Sequence, residues 1–222
     1  MPRRILLITL LMSSQLAFTQ IASQPEGRSN SQIIEFILTL QEKSILDIAE
    51  AMPAEKYSFV PTHGEFKGVR TFGQQLKHIA VDNYILGAGI LEENVPVDVG
   101  QGENGPVSLQ SKPQVLEYLK NSFAYFHKAA AAIDDTNRPI PTPSISPWPE
   151  GTATRMGLAV ETLVHTWDHY GQLVEYLRMN GIVPPASPRP SLARPGGDNK
   201  PQQPLKRRFA LKLLGELKHV QQ

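Results

Sequence analysis

The chain has 222 residues, no cysteine and a formal net charge of +1, which excludes disulfides, thiolate metal ligands and a cysteine nucleophile. The near-neutral total hides an uneven distribution: 12 basic and 19 acidic residues lie between Gln24 and Ala186, against 8 basic and 2 acidic between Ser187 and Gln222. An acidic excess over the main segment argues against nucleic-acid binding there, because phosphate recognition rests on a basic surface.

The N-terminal residues 1–23 read as a secretory signal. Arg3 and Arg4 give a positive start, and Ile5–Phe18 is a mostly apolar run too short to span a bilayer. Cleavage falls somewhere around Ala17–Ser23, and the expected location is secreted or periplasmic. The alternative is an uncleaved, membrane-tethered N-terminus. The chain beyond this segment is long enough for one domain with its own core, expected over 24–186.

Four helices can be read from periodicity and caps. The first is expected from Ser31 to Ala51, with Ile33, Ile34, Ile37, Leu40, Ile45 and Ile48 as its apolar positions and a stop at Pro53. The second starts at Thr71, where Thr-x-x-Gln74 has the form of a capping box, and runs to about Glu93. Gly87 and Gly89 weaken it slightly. The third opens with a similar Ser111-x-x-Gln114 box and ends near Asp134. The fourth runs from Thr154 to Asn180 and is stopped by Gly181 and Pro184. Long connections rich in proline and glycine separate them: Met52–Arg70, Asn94–Gln110 and Thr136–Gly151. No β-hairpin signal stands out. The fold class is therefore all-α, an up-and-down-type four-helix bundle with long loops.

Beyond Ala186 the composition turns to proline, glycine and polar residues, and 187–204 reads as a disordered linker. The last segment, 205–222, reads as a basic amphipathic helix. Phe209, Leu213, Leu214, Leu217 and Val220 fall on one face, with Lys206, Arg207, Arg208 and Lys212 largely on the other. Such a helix can lie on an anionic membrane surface, dock on an acidic partner, or be a loosely held surface element.

The chemistry concentrates in three histidines. His165 and His169 stand at i and i+4 on the fourth helix, where two imidazoles can point at one metal ion. His78 lies on the second helix. Two helices supplying three imidazoles make an open site with positions left for water or substrate. On the fourth helix Leu158, Glu161, Thr162, His165, His169, Gln172 and Tyr176 cluster on one side. Leu163, Trp167, Tyr170, Val174 and Leu177 form an opposite apolar side, with Asp168, Glu175 and Arg178 in a narrow exposed strip. A helix apolar on two sides is central in its bundle or contributes to a homodimer interface.

Asp82 is one turn beyond His78 and on nearly the same face. Its candidate roles are orienting an imidazole, acting as a fourth ligand, or serving as a catalytic base, against a simpler reading as a solvated or N–H-bonded aspartate. Glu161 and Gln172 flank the histidine pair as weaker candidates of the same kind. His63, His127 and His219 have no partner at ligand spacing and read as structural or surface residues.

Several stretches carry a family resemblance: Tyr57-Ser-Phe-Val-Pro61-Thr, Val69-Arg-Thr-Phe-Gly73, His78-Ile-Ala, and His165-x-x-x-His169-x-Gly-Gln172-Leu. Over about Ile33 to Ala186 the chain resembles the DinB-like family of four-helix metal-binding proteins. The resemblance implies a three-histidine site at His78, His165 and His169 for one divalent transition metal, Ni2+ or Zn2+. The family includes thiol-dependent transferases and isomerases among its members. Two functions are therefore expected as alternatives. One is a metal-dependent enzyme, of thiol-transferase or hydrolase type, acting on an unknown small-molecule substrate. The other is a non-catalytic or stress-associated protein with a structural metal.

Overall fold

Ser29, Thr71 and Ser111 each open a helix by the same device. The hydroxyl accepts from the backbone N–H three residues on, where a glutamine side chain reaches back to the N-cap N–H. The computed structural model describes residues 27–187. The expected signal segment 1–23, the expected helix 205–222 and all but the first residue of the expected linker 187–204 lie outside the described residues. The helices are α1 (Asn30–Ala51), α2 (Phe72–Leu91), α3 (Lys112–Ala131) and α4 (Arg155–Met179). Among the described residues, no helix is long and apolar enough to cross a membrane.

The expected boundaries shift for local reasons. The first helix begins earlier than Ser31 because Ser29-x-x-Gln32 is itself a capping box. The third stops at Ala131, where the N–H groups of Ala132 and Ile133 turn back to Ala129 O and Ala130 O in tighter i→i+3 bonds. The fourth ends as expected at Gly181. Its φ of +72° lets its own N–H reach Arg178 O, while Ile182 N–H reaches Leu177 O, a Schellman motif. Two features were not expected: a single 3-10 turn at Ala54–Lys56, and an antiparallel pair of two-residue strands, β1 (Pro139–Ile140) and β2 (Ala153–Thr154). The strand pair closes the proline-rich loop before α4 and lacks the alternating run that would reveal it in a sequence.

The class is an all-α four-helix bundle, with a chain order that side-chain pairs define. Lys112 and Lys120 at the start of α3 meet Glu50 at the end of α1, so these two are antiparallel. Asn83 meets Ser122, and Glu93 meets Tyr125 and Lys128, so α2 and α3 run parallel. Gly89 packs against Leu158 and Gln75 bonds Gln172, so α2 and α4 are antiparallel. The helices therefore run up, down, down and up, in place of the alternating up-and-down order expected, because the long connection after α2 lets α3 start beside the start of α2. The connection 92–111 must return along the length of the bundle, and this brings it across the face of α2.

That return makes α2 the central helix. Sixteen of its 20 residues are buried, against nine of 25 in α4. The second apolar side of α4 is covered only in part: Leu163 and Leu177 are buried, while Trp167 is 38% exposed and stacks edge-on to Tyr170. The glycines that weaken α2 on propensity have a packing reason. A Cβ on Gly89 would stand 2.5 Å from Pro143 Cγ, so the helix and the loop before α4 approach closely only because that atom is missing.

One polar clip joins α1 to α3. His127 Nδ1 lies 2.6 Å from a Glu35 oxygen and Nε2 lies 3.0 Å from a Glu42 oxygen. The hydrogen bond to Glu42, working against burial and helped by Glu35, raises the imidazole above its ordinary value. A raised folded value means the clip stabilises fully below the unfolded histidine value and is lost as pH climbs through the folded one. The stability gap between the native protein and His127→Gln is therefore expected to narrow as pH rises through and above the ordinary histidine range, read from urea midpoints at successive pH values.

Candidate metal centre

The antiparallel α2–α4 pair brings His78, His165 and His169 together. Their three rings are nearly perpendicular to one another, with centroids 4.5 to 4.9 Å apart. His165 Nε2 lies 3.3 Å from His78 Nε2 and 2.9 Å from His169 Nε2. Two bonds of ~2.0–2.1 Å from one ion place nitrogens roughly 2.9 Å apart at a right angle and roughly 3.3 Å apart at a tetrahedral one. The spacing fits a common ion, and the three residues form a group that can hold one.

Hydrogen bonds on the far side of two rings fix which nitrogen faces inward. His78 Nδ1 donates to Glu103 O at 2.9 Å, and His165 Nδ1 pairs with Asp82 Oδ2 at 2.5 Å. With Nδ1 of each ring engaged, the two Nε2 atoms face each other across 3.3 Å. When both rings are neutral these facing lone pairs repel, and a cation between them removes the conflict. His169 Nδ1 is buried and has no hydrogen-bond partner among the described residues.

Protonation follows the same surroundings. Burial, then the charges of His165, His78 and Arg70, pull His169 down to about 3. Burial likewise lowers His78. Burial works against His165 too, but the bond and charge of Asp82 outweigh it and raise this imidazole. A metal requires neutral imidazoles, so the lowered His78 and His169 suit it, and binding must displace the proton that Asp82 favours on His165.

The expected solvated reading of Asp82 gives way here. Asp82 is buried and its carboxylate is spent on His165, with His78 Nε2 at 3.6 Å. Glu161 is half-buried and accepts from Ser146 Oγ at 2.8 Å, and burial pushes its carboxyl up. Gln172 is occupied by Gln75 and by Asp168, away from the rings. His63 bonds the neighbouring Thr62, and His127 serves the α1–α3 clip. His219 lies outside the described residues.

The three histidines line a cavity of about 640 Å³, together with Asp82, Glu161, Asp168, Arg70 and Glu103, and an apolar wall of Leu86, Ile145, Pro147 and Val164. It opens to solvent, since Val164 and Asp168 on its border are exposed and the His165 side chain is 35% accessible. Sequence reasoning did not single out Arg70, Glu103, Ser146 or the Ile145–Pro147 wall as site residues. Glu103 acts through its backbone carbonyl at a left-handed φ of 60°, which no residue-type pattern marks. Arg70 carried one available signal, its place beside the N-cap of the helix that bears His78.

A family model described as the DinB superfamily matches residues 37–173, a span holding all three histidines. The chain belongs to the DinB superfamily. No curated protein matches it. Membership of this metal-binding superfamily and the convergence of three Nε2 atoms are compatible with the same property, arrived at independently.

Proposed function

We propose that this DinB-superfamily protein is a divalent-metal-dependent enzyme, of hydrolase or thiol-transferase type, with His78, His165 and His169 as ligands to one nickel or zinc ion. The cavity carries the reading. A structural staple needs only enclosure, whereas these histidines border an open space within the ~300–1,000 Å³ range of small-molecule sites. A divalent ion held there supplies Lewis acidity, polarising a carbonyl or acidifying a nucleophile beside it.

The protein's own groups would do the rest. Asp82 and the Glu103 carbonyl hold two rings in one tautomer and orientation. Glu161 is the group that takes a proton from the attacking nucleophile and returns it to the leaving group. Burial raises its carboxyl, the direction that favours such an exchange, and Ser146 holds it in place at 2.8 Å. Leu86, Ile145, Pro147 and Val164 exclude water from the apolar part of a substrate.

Substitution with cobalt tests the open site. Its visible spectrum is expected to shift on adding azide or a hydroxamate, because each takes up a free coordination position. A spectrum indifferent to every added ligand, with a large fall in melting temperature on metal removal, would establish the rival reading of a non-catalytic structural metal.

The proposal includes export. Arg3, Arg4 and the apolar run Ile5–Phe18 support a secreted or periplasmic location. Hydrolysis then has more support than thiol transfer, since low-molecular-weight thiols are mostly intracellular. Mass spectrometry of the native protein is expected to find a mature N-terminus within residues 18–24. An intact Met1 or Pro2 in a cytoplasmic pool would reverse the preference.

A further inference from the structure

Four carboxylates and one guanidinium line the cavity beside the histidines, and their hydrogen bonding differs. Asp82 is taken by His165, Glu161 by Ser146 and Asp168 by Gln172. Arg70 is held at one end only. Its Nε donates to Asn104 Oδ1 at 2.8 Å, and its backbone carbonyl accepts from Tyr176 OH on α4 at 3.0 Å. Its nearest carboxylate contact is Nη2 to Glu103 at 3.7 Å, beyond hydrogen-bond length. Among the described residues no hydrogen bond engages either Nη group. A guanidinium fixed through Nε and unspent at its fork is preorganised for a planar two-oxygen anion.

The opposite lining is apolar: Leu86, Ile145, Pro147 and Val164. Cation and hydrophobic wall in one cavity select a ligand with both characters. We propose that Arg70 is the specificity-determining residue of this site, binding the carboxylate of a small amphiphilic organic acid whose apolar body lies on that wall. This rests on the cavity being the substrate site of the metal-dependent enzyme proposed above. Asn104 is the positioning residue that aims the fork.

Calorimetric titration of the full protein with 4-phenylbutyrate and with 4-phenylbutylamine tests it, on metal-loaded and metal-free samples whose metal content is measured. The acid is expected to bind in both samples and the amine in neither. Arg70→Gln should weaken the acid by about tenfold or more, the value of a lost charge-assisted hydrogen bond. Arg70→Lys should recover part of the loss, having charge without the fork. Asn104→Ala leaves the guanidinium in place and should weaken the acid by a smaller factor, which separates misplacement from misfolding if Arg70→Gln proves unstable. Unchanged acid affinity in a folded Arg70→Gln, tighter binding of the amine, or no binding of either probe overturns the proposal. Failure of the metal reading shows separately, as a protein that retains no metal after loading yet still takes the acid.

Discussion

His165→Ala is expected to lower the affinity for nickel or zinc by roughly a hundredfold or more, since even losing an outer partner of a ligand typically costs ~10–100-fold. His165 is the hinge of the cluster: its Nε2 is the atom shared by both short contacts, 2.9 Å to His169 and 3.3 Å to His78. Its removal leaves two imidazoles on different helices and strands the buried Asp82 carboxylate without its donor. Elemental analysis after dialysis against a weak chelator should find little metal in this variant and full metal in His63→Ala, whose imidazole bonds only Thr62. Full occupancy after loss of His165 would sink the ligand assignment.

Asp82→Asn is expected to weaken the metal by ~10–100-fold while leaving the bundle folded. An amide oxygen can still accept from His165 Nδ1, so the ring keeps its place. What is lost is the negative charge that holds the imidazole raised and strengthens it as a donor to a cation. The effect should therefore fall below that of His165→Ala, and competition with a metal-binding dye would rank the two. A variant that binds as the native protein does would remove Asp82 from the site and return it to a packing role.

Much of this site is legible residue by residue along each helix. The three capping-box and N-cap signals place α2, α3 and α4 to within a few residues, because a cap is a bond between neighbours in the chain. The i,i+4 spacing puts His165 and His169 on one face by helix geometry alone. Asp82 is less legible. Its position one turn past His78 allows both a solvated and a ligand-orienting role, and the choice depends on what stands opposite on α4. Trp167 shares the second apolar side of α4 yet stays partly exposed, because periodicity reports which residues share a face, not whether another element packs on it.

The sequence by itself determined four helices, the caps of the last three, the paired histidines of α4 and membership of a metal-binding superfamily, all of them properties of short-range spacing or of motif. Only the tertiary structure decided that α2 and α3 run parallel, and the second half of the site depends on it. A parallel pair forces the connection 92–111 back across the bundle, and this return delivers the Glu103 carbonyl to His78 and Asn104 to Arg70. These contacts join residues 25 and 34 positions apart. They arise from burial of α2 by a loop, a long-range packing outcome that no local periodicity encodes.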